Sequence, residues 1–197
     1  MAQTTLISSD DTYIRSSVPT SNQEGAGSLF VGEYKSAVND ISHTLVKFDL
    51  STIAGTITAA TLRMKDKGTD FATNNRTMRV YRMLRSWVAS QATWNVYSTG
   101  NNWGTAGAEN TTSDREATDI GSVSMPGVEV AQYYDITLTA SAVEQMRSGS
   151  LTNNGFLLRM DTEIDDLHDF TDNTQTDKPQ LVVTYTPFEG GFIYMSV

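Results

Sequence analysis

Three blocks of the chain alternate apolar and polar residues with a period of two, and this pattern limits the fold more than any other feature. In 44–50, Val46, Phe48 and Leu50 alternate with Leu45, Lys47 and Asp49. In 58–65, Ala60, Leu62 and Met64 stand opposite Thr61, Arg63 and Lys65. In 78–84, Met78 and Val80 lie on one face, Arg79 and Tyr81 on the other. Successive side chains of an extended strand point to opposite sides, so each block reads as a half-buried strand. Such strands need a second layer to bury their apolar face.

The rest of the chain fits the same scheme. Residues 4–7 and 12–15 read as strand, interrupted at Ser8-Ser9-Asp10-Asp11. Leu29 and Val31 open another after the turn-rich 22–27, and 133–138, 156–160 and 181–185 supply three more. Residues 117–130 are weakly patterned strand, 67–76 form a polar hairpin loop around Phe71, and 104–113 are a loop of small and polar residues. Ser141 and Glu144 have capping-box spacing, which predicts a short helix carrying Val143 and Met146 and stopping near Gly149. The expectation is an all-β fold, an antiparallel β-sandwich with one short helix. The 197 residues suffice for one domain, placed at 1–186, with 187–197 as a tail.

Several function classes drop out. The absence of cysteine leaves no disulfide framework, thiolate metal site or cysteine nucleophile. No window approaches the ~18 apolar residues of a membrane span. The N-terminal MAQTTLISSDDTYIR lacks the basic and apolar regions of a secretion signal, so export by a signal peptide is not expected. A net charge of -9 would repel nucleic-acid phosphates and suits a neutral or basic partner surface. No zinc-protease, nucleophile-elbow, phosphate-loop or dinucleotide motif occurs, and His43 and His168 stand far apart. No enzymatic activity is expected.

The stretch 78–103, MRVYRMLRSWVASQATWNVYSTGNNW, holds all three tryptophans. Past Leu84 it is polar yet keeps Trp87, Trp94, Tyr97 and Trp103, rings that are costly to leave in water. They either plug the end of the sandwich or form a platform for stacking on sugars. The run RSW-x3-QATWN followed by TG-x2-W resembles the DNRLRE domain, a β jelly roll related to carbohydrate-binding modules. DTYIRSSVPTSNQEGAGSLFVG, TLVKFDLSTIAGTITAATLRM, YDITLTASAVEQMRSGSLTNNGFLLRM and KPQLVVTY are similar to that family's other blocks, in the same order. The resemblance implies a jelly-roll sandwich, and a role as a carbohydrate-binding module or as a freestanding phage protein. The closing block departs from the pattern, reading MDTEIDDLHDFTDN where basic residues are expected.

That acidic run, with Asp161, Glu163, Asp165, Asp166, Asp169 and Asp172, has the spacing of a calcium loop. It lacks the glycine of the sixth position, where Asp166 stands, and a glutamate at the twelfth. A solvated acidic loop is the preferred reading and a structural calcium the minor one; Asp10 and Asp11 are a second, weaker calcium candidate. No cofactor is expected.

The tail carries Phe192, Ile193, Tyr194, Met195 and Val197 behind a Gly-Gly pair. It reads as an arm that adds a strand to its own sheet or to a partner. Two functions follow. The first is a virion surface protein that decorates and cements a phage head, its partner a major capsid protein and its own state a trimer. The second is a carbohydrate-binding module of a secreted enzyme or adhesin, with Trp87, Trp94, Tyr97 and Trp103 as the glycan platform. A virion protein that binds host-surface glycans would combine them.

Overall fold

The structure, a computed structural model, describes residues 1–34, 39–69, 72–128 and 130–189. In chain order the strands are β1 (Ala2–Arg15), β2 (Leu29–Glu33), β3 (Ile41–Phe48), β4 (Gly55–Lys65), β5 (Arg76–Arg82), β6 (Val96–Ser98) and β7 (Asn101–Asn102). They continue with β8 (Gly121–Met125), β9 (Tyr133–Leu138), β10 (Phe156–Met160), β11 (His168–Phe170) and β12 (Gln180–Pro187); the helix α1 (Ala140–Ser148) lies between β9 and β10.

β1 is one long strand where the sequence predicted two. The irregularity at Ser8–Asp10 is a bulge, not an end. Before it β1 pairs with β12, and after it with β3. A bulge bends its strand and raises the local twist, so β1 turns a corner between two partners. Ser8 Oγ donates to Asp11 Oδ2 at 2.7 Å on the inner side of that corner.

This corner closes the sheet. The order β1-β12-β4-β9-β8-β5-β10-β3 returns to β1 through antiparallel pairs, giving a barrel-like ring of eight strands. The all-β, antiparallel expectation holds, but the ladder is continuous and is not divided into two separate sheets. The ring's narrowest seam is β8–β9, joined at the single pair Gly121↔Leu138. Gly121 is required there, since a Cβ would stand 2.5 Å from the Thr137 carbonyl oxygen.

The inward residues predicted from alternation line the interior: Val46, Phe48, Ala60, Leu62, Met64, Met78 and Val80 are all buried. Leu45 was expected outside and is fully buried as well, beneath a layer added to the outer face. β2 and β11 lie outside the ring: β11 pairs with β2, and Phe170 bridges Asp66 just past the end of β4. The acidic run therefore yields a strand as well as loop.

The helix forms where predicted, with Val143 and Met146 buried and Gly149 left-handed at φ 79°. The capping box does not form. Thr139 is the N-cap without a side-chain cap bond, and Glu144 instead accepts from Ile57 N at 2.9 Å and pairs with Arg147. β12 runs to Pro187, and Phe188 N donates to Ala54 O at 3.1 Å. Phe71 and the tail residues Phe192, Ile193, Tyr194, Met195 and Val197 lie outside the described residues.

Candidate functional site

Alternation predicts one buried face per strand, yet β1, β3 and β10 bury both. Ile14, Leu45 and Leu157 point outward and are fully buried. Covering them is the chain that follows β5, which packs Met83, Trp87, Ala89, Ala92, Trp103 and Ala108 on this outer face. The long aromatic stretch is thus a second core laid on the barrel wall, not an end plug.

Hydrogen bonds pin this layer at points the apolar contacts leave undetermined. Trp87 Nε1 donates to Asn154 O at 2.8 Å, and Trp103 Nε1 donates to Thr93 O at 2.9 Å. Asn22 Nδ2 reaches across to Ala89 O and Ala92 O at 2.6 and 2.7 Å. The fully buried Asp114 carboxylate accepts from Gly104 N, Thr105 N and Asn110 N and from Ser113 Oγ, folding 104–114 around itself. Backbone donors at this density are how a buried carboxylate recovers the hydration it loses.

The four predicted platform residues separate by burial. Trp87 and Trp103 are 8% and 5% exposed, their ring faces inside the second core. Tyr97 is half-buried, with the Arg85 guanidinium 4.7 Å from its centroid and Trp103 5.6 Å away. Trp94 is also half-buried, 5.0 Å from the His43 ring at a 44° tilt. Its six-membered edge rests on Gly107, whose φ is +80° and where a Cβ would fall 2.8 Å from the indole. Glycine is needed here on both counts.

Beneath Trp94 lies a charged cluster that sequence reading missed. His43 Nδ1 faces Gly107 O at 2.8 Å and Nε2 faces Glu163 Oε1 at 2.6 Å. Arg159 binds Glu109 at 2.8 Å and Glu163 at 3.2 Å. Arg115 binds Glu109 at 2.6 Å and lays its guanidinium 4.3 Å from the Tyr81 centroid. Burial pushes the Glu163 carboxyl up, but His43 and Arg159 outweigh it and hold the group below its ordinary value. Outward positions of β3 and β10 supply His43 and Arg159; Glu109, Arg115 and Glu163 arrive from loops. No spacing along the chain signals such a set.

The acidic run is not a solvated loop. Asp161 Oδ1 accepts from Thr77 N and Thr162 N, and Asp172 accepts from Gly27 N and Thr174 N. The fully buried Asp166 accepts from Glu33 N at 2.7 Å, and Asp169 pairs with Lys67 at 3.1 Å. These carboxylates are spent separately on turns and strand ends. Among the described residues no three His, Cys, Asp or Glu side chains gather in an arrangement that could hold a metal ion. The surface hollows over Asn75, Thr77, Ser124 and Thr162 and over Asp119, Ser122, Thr137 and Thr139 lie on the β5–β8–β9 side, away from the aromatic layer. They are polar and carry no ring for stacking.

Comparison with curated proteins finds no match to the chain. A family model does match, over residues 2–112, more than half of the 197. The matched part takes in β1 to β7, both halves of the β1 corner, and Trp87, Trp94, Tyr97 and Trp103. On that match the chain belongs to carbohydrate-binding module family 96.

Proposed function

We propose that the chain is a non-catalytic glycan-binding module in which Trp94 is the ring that stacks on a sugar. The observation that carries this is the family match, which spans the whole stretch that builds the aromatic layer up to Thr112. The geometry supports Trp94 in particular. It is the tryptophan that is not buried, and it is backed by Gly107 and His43, so a sugar would meet a ring already held in place. A rigid aromatic offers apolar area to the C–H face of a pyranose at low entropic cost. Glu109 and Arg159, partly exposed members of the charged cluster beneath it, offer an acceptor and donors for hydroxyls. Tyr97, flanked by Arg85 and Trp103, serves as a buttress.

We take the ring of strands to be the jelly roll that the DNRLRE resemblance implies. The virion reading takes second place: among the described residues no feature favours a capsid partner or a trimer, and a glycan site is equally at home on a virion or beside an enzyme.

Affinity electrophoresis against a panel of neutral and acidic polysaccharides tests the proposal. The wild type should be retarded by at least one of them. Trp94→Ala should run unretarded while melting near the wild-type temperature. No retardation by any polysaccharide, or a Trp94→Ala variant retarded like the wild type, would refute the assignment.

A further inference from the structure

Among the described residues, the corner in β1 leaves one strand edge without a partner. Ser8 N donates to Pro179 O at 3.0 Å, in line with the register that runs from Ala2↔Tyr185 to Ile7↔Gln180. In an antiparallel ladder alternate residues bond to the same neighbour. The main-chain groups of Ala2, Thr4 and Leu6 therefore face β12, and those of Gln3, Thr5 and Ile7 face away. On that side β3 begins its pairing only at Ser8. Among the described residues, no hydrogen bond apart from the β12 ladder reaches the main chain of 2–7. Gln3, Thr5 and Ile7 also carry their side chains on the outer face of the sheet, where they are exposed, Ile7 to 45%.

Sheet edges in native proteins are blunted by lysine, proline, bulges or a covering element. Residues 2–7, AQTTLI, contain no charge and no proline, and the bulge lies beyond them at Ser8–Asp10. The edge is also self-complementary. An antiparallel copy related by a two-fold axis at Thr5 would set Gln3 against Ile7 twice and Thr5 against Thr5. Those three pairs use every outward-pointing residue, about six main-chain hydrogen bonds at two per pair. Registers centred on Thr4 or Leu6 use fewer. A two-fold contact closes on itself and so does not propagate into fibres.

We infer that β1 is a dimerisation edge, and that its occupant is the β1 of a second copy of this chain, paired antiparallel about Thr5. The dimer joins two barrels into one continuous sheet. It presents two Trp94 surfaces, but the inference does not depend on the glycan reading. Each copy carries a net charge of -9, so association strengthens as salt screens the repulsion.

Sedimentation velocity over a concentration series, at low and moderate salt, reads the state directly. The wild type should show a reversible monomer–dimer equilibrium. Thr5→Pro removes an N–H that points away from β12, a place where an edge strand tolerates proline. Thr5→Lys sets like charges opposite each other across the axis. Both should weaken dimerisation by at least about tenfold, some 1.4 kcal/mol, and at a dilution where the wild type too is monomeric Thr5→Lys should melt at the wild-type temperature. A wild type that stays monomeric, or a dimer that survives both substitutions, overturns the inference. So does a monomer that dimerises only after residues 190–197 are deleted, because the edge would then belong to the chain's own C-terminal segment.

Discussion

Replacing Trp87 by alanine tests whether the outer layer is a true core. The ring is 8% exposed, packed in the cluster that covers Ile14, Leu45 and Leu157, and its Nε1 donates to Asn154 O at 2.8 Å. An indole buries roughly 150–250 Å², and truncation of a core Trp to Ala costs about 3–5 kcal/mol once the residual cavity is included. The lost hydrogen bond leaves a buried carbonyl short of a donor, worth about 1 kcal/mol. The sum is near 5 kcal/mol, and at about 2–4 °C per kcal/mol for a chain of this size the midpoint should fall by about 10–20 °C. Trp94→Ala should cost far less, because its ring is half-buried and makes no hydrogen bond that holds the layer. Urea denaturation followed by circular dichroism compares the two directly. Acrylamide quenching of a protein whose other tryptophans are replaced by phenylalanine reports on Trp87 alone. A loss below about 1 kcal/mol for Trp87→Ala, or quenching of Trp87 like that of free indole, would refute the second-core account.

Two further outcomes are expected. Gly107→Ala forces a side chain into a left-handed backbone and against the Trp94 ring; it should cost about 1–2 kcal/mol from the backbone alone and weaken polysaccharide retardation by displacing Trp94, whereas Gly100→Ala, equally left-handed but facing open space, should leave retardation unchanged. The second concerns pH. Burial, partly offset by hydrogen bonds, raises the carboxyls of Asp11 and Asp166 from 3.8 to about 6. The folded state then binds protons more tightly than the unfolded chain between about pH 4 and 6. Their contribution is present below the unfolded value and lost as pH rises through about 6, so the melting midpoint should be higher at pH 5 than at pH 7. Asp11→Asn with Asp166→Asn should flatten that rise, and a wild-type midpoint that falls steadily from pH 7 to 5 would contradict it. Below about pH 4 the trend should reverse, as Asp40, Glu144 and Glu163, held low by Arg15, by Arg147 and by His43 with Arg159, become protonated.

Much of the barrel is legible in the chain because strand alternation is local. Val46, Phe48, Leu62, Met64, Met78 and Val80 reveal their inward face to anyone counting by two, and Gly149 marks the end of the helix by its left-handed backbone. Whether the strands form two sheets or one ring is not local. It turns on the bulge at Ser8–Asp10, where a polar run that looks like a break lets β1 exchange β12 for β3. Leu45 looked solvent-facing because no residue near it in sequence announces a cover; its cover comes from tens of residues away, through Trp87 and Trp103. The aromatic stretch was recognisable as the place where something packs, yet only the tertiary structure separates the buried Trp87 and Trp103 from the half-exposed Trp94. The His43–Glu163–Arg159–Glu109–Arg115 cluster was invisible, since its members come from three separate parts of the chain, at 43, 109–115 and 159–163. The acidic run misled for a related reason. Six carboxylates close in sequence look like one charged loop, but Asp161, Glu163, Asp166, Asp169 and Asp172 each turn to a different main-chain donor or cation, and a carboxylate's role is set by the partner it meets in space. Strand period and turn chemistry are properties of neighbours along the chain; ring closure, the second core and the charged cluster under Trp94 are properties of neighbours across it, and only folding brings those together.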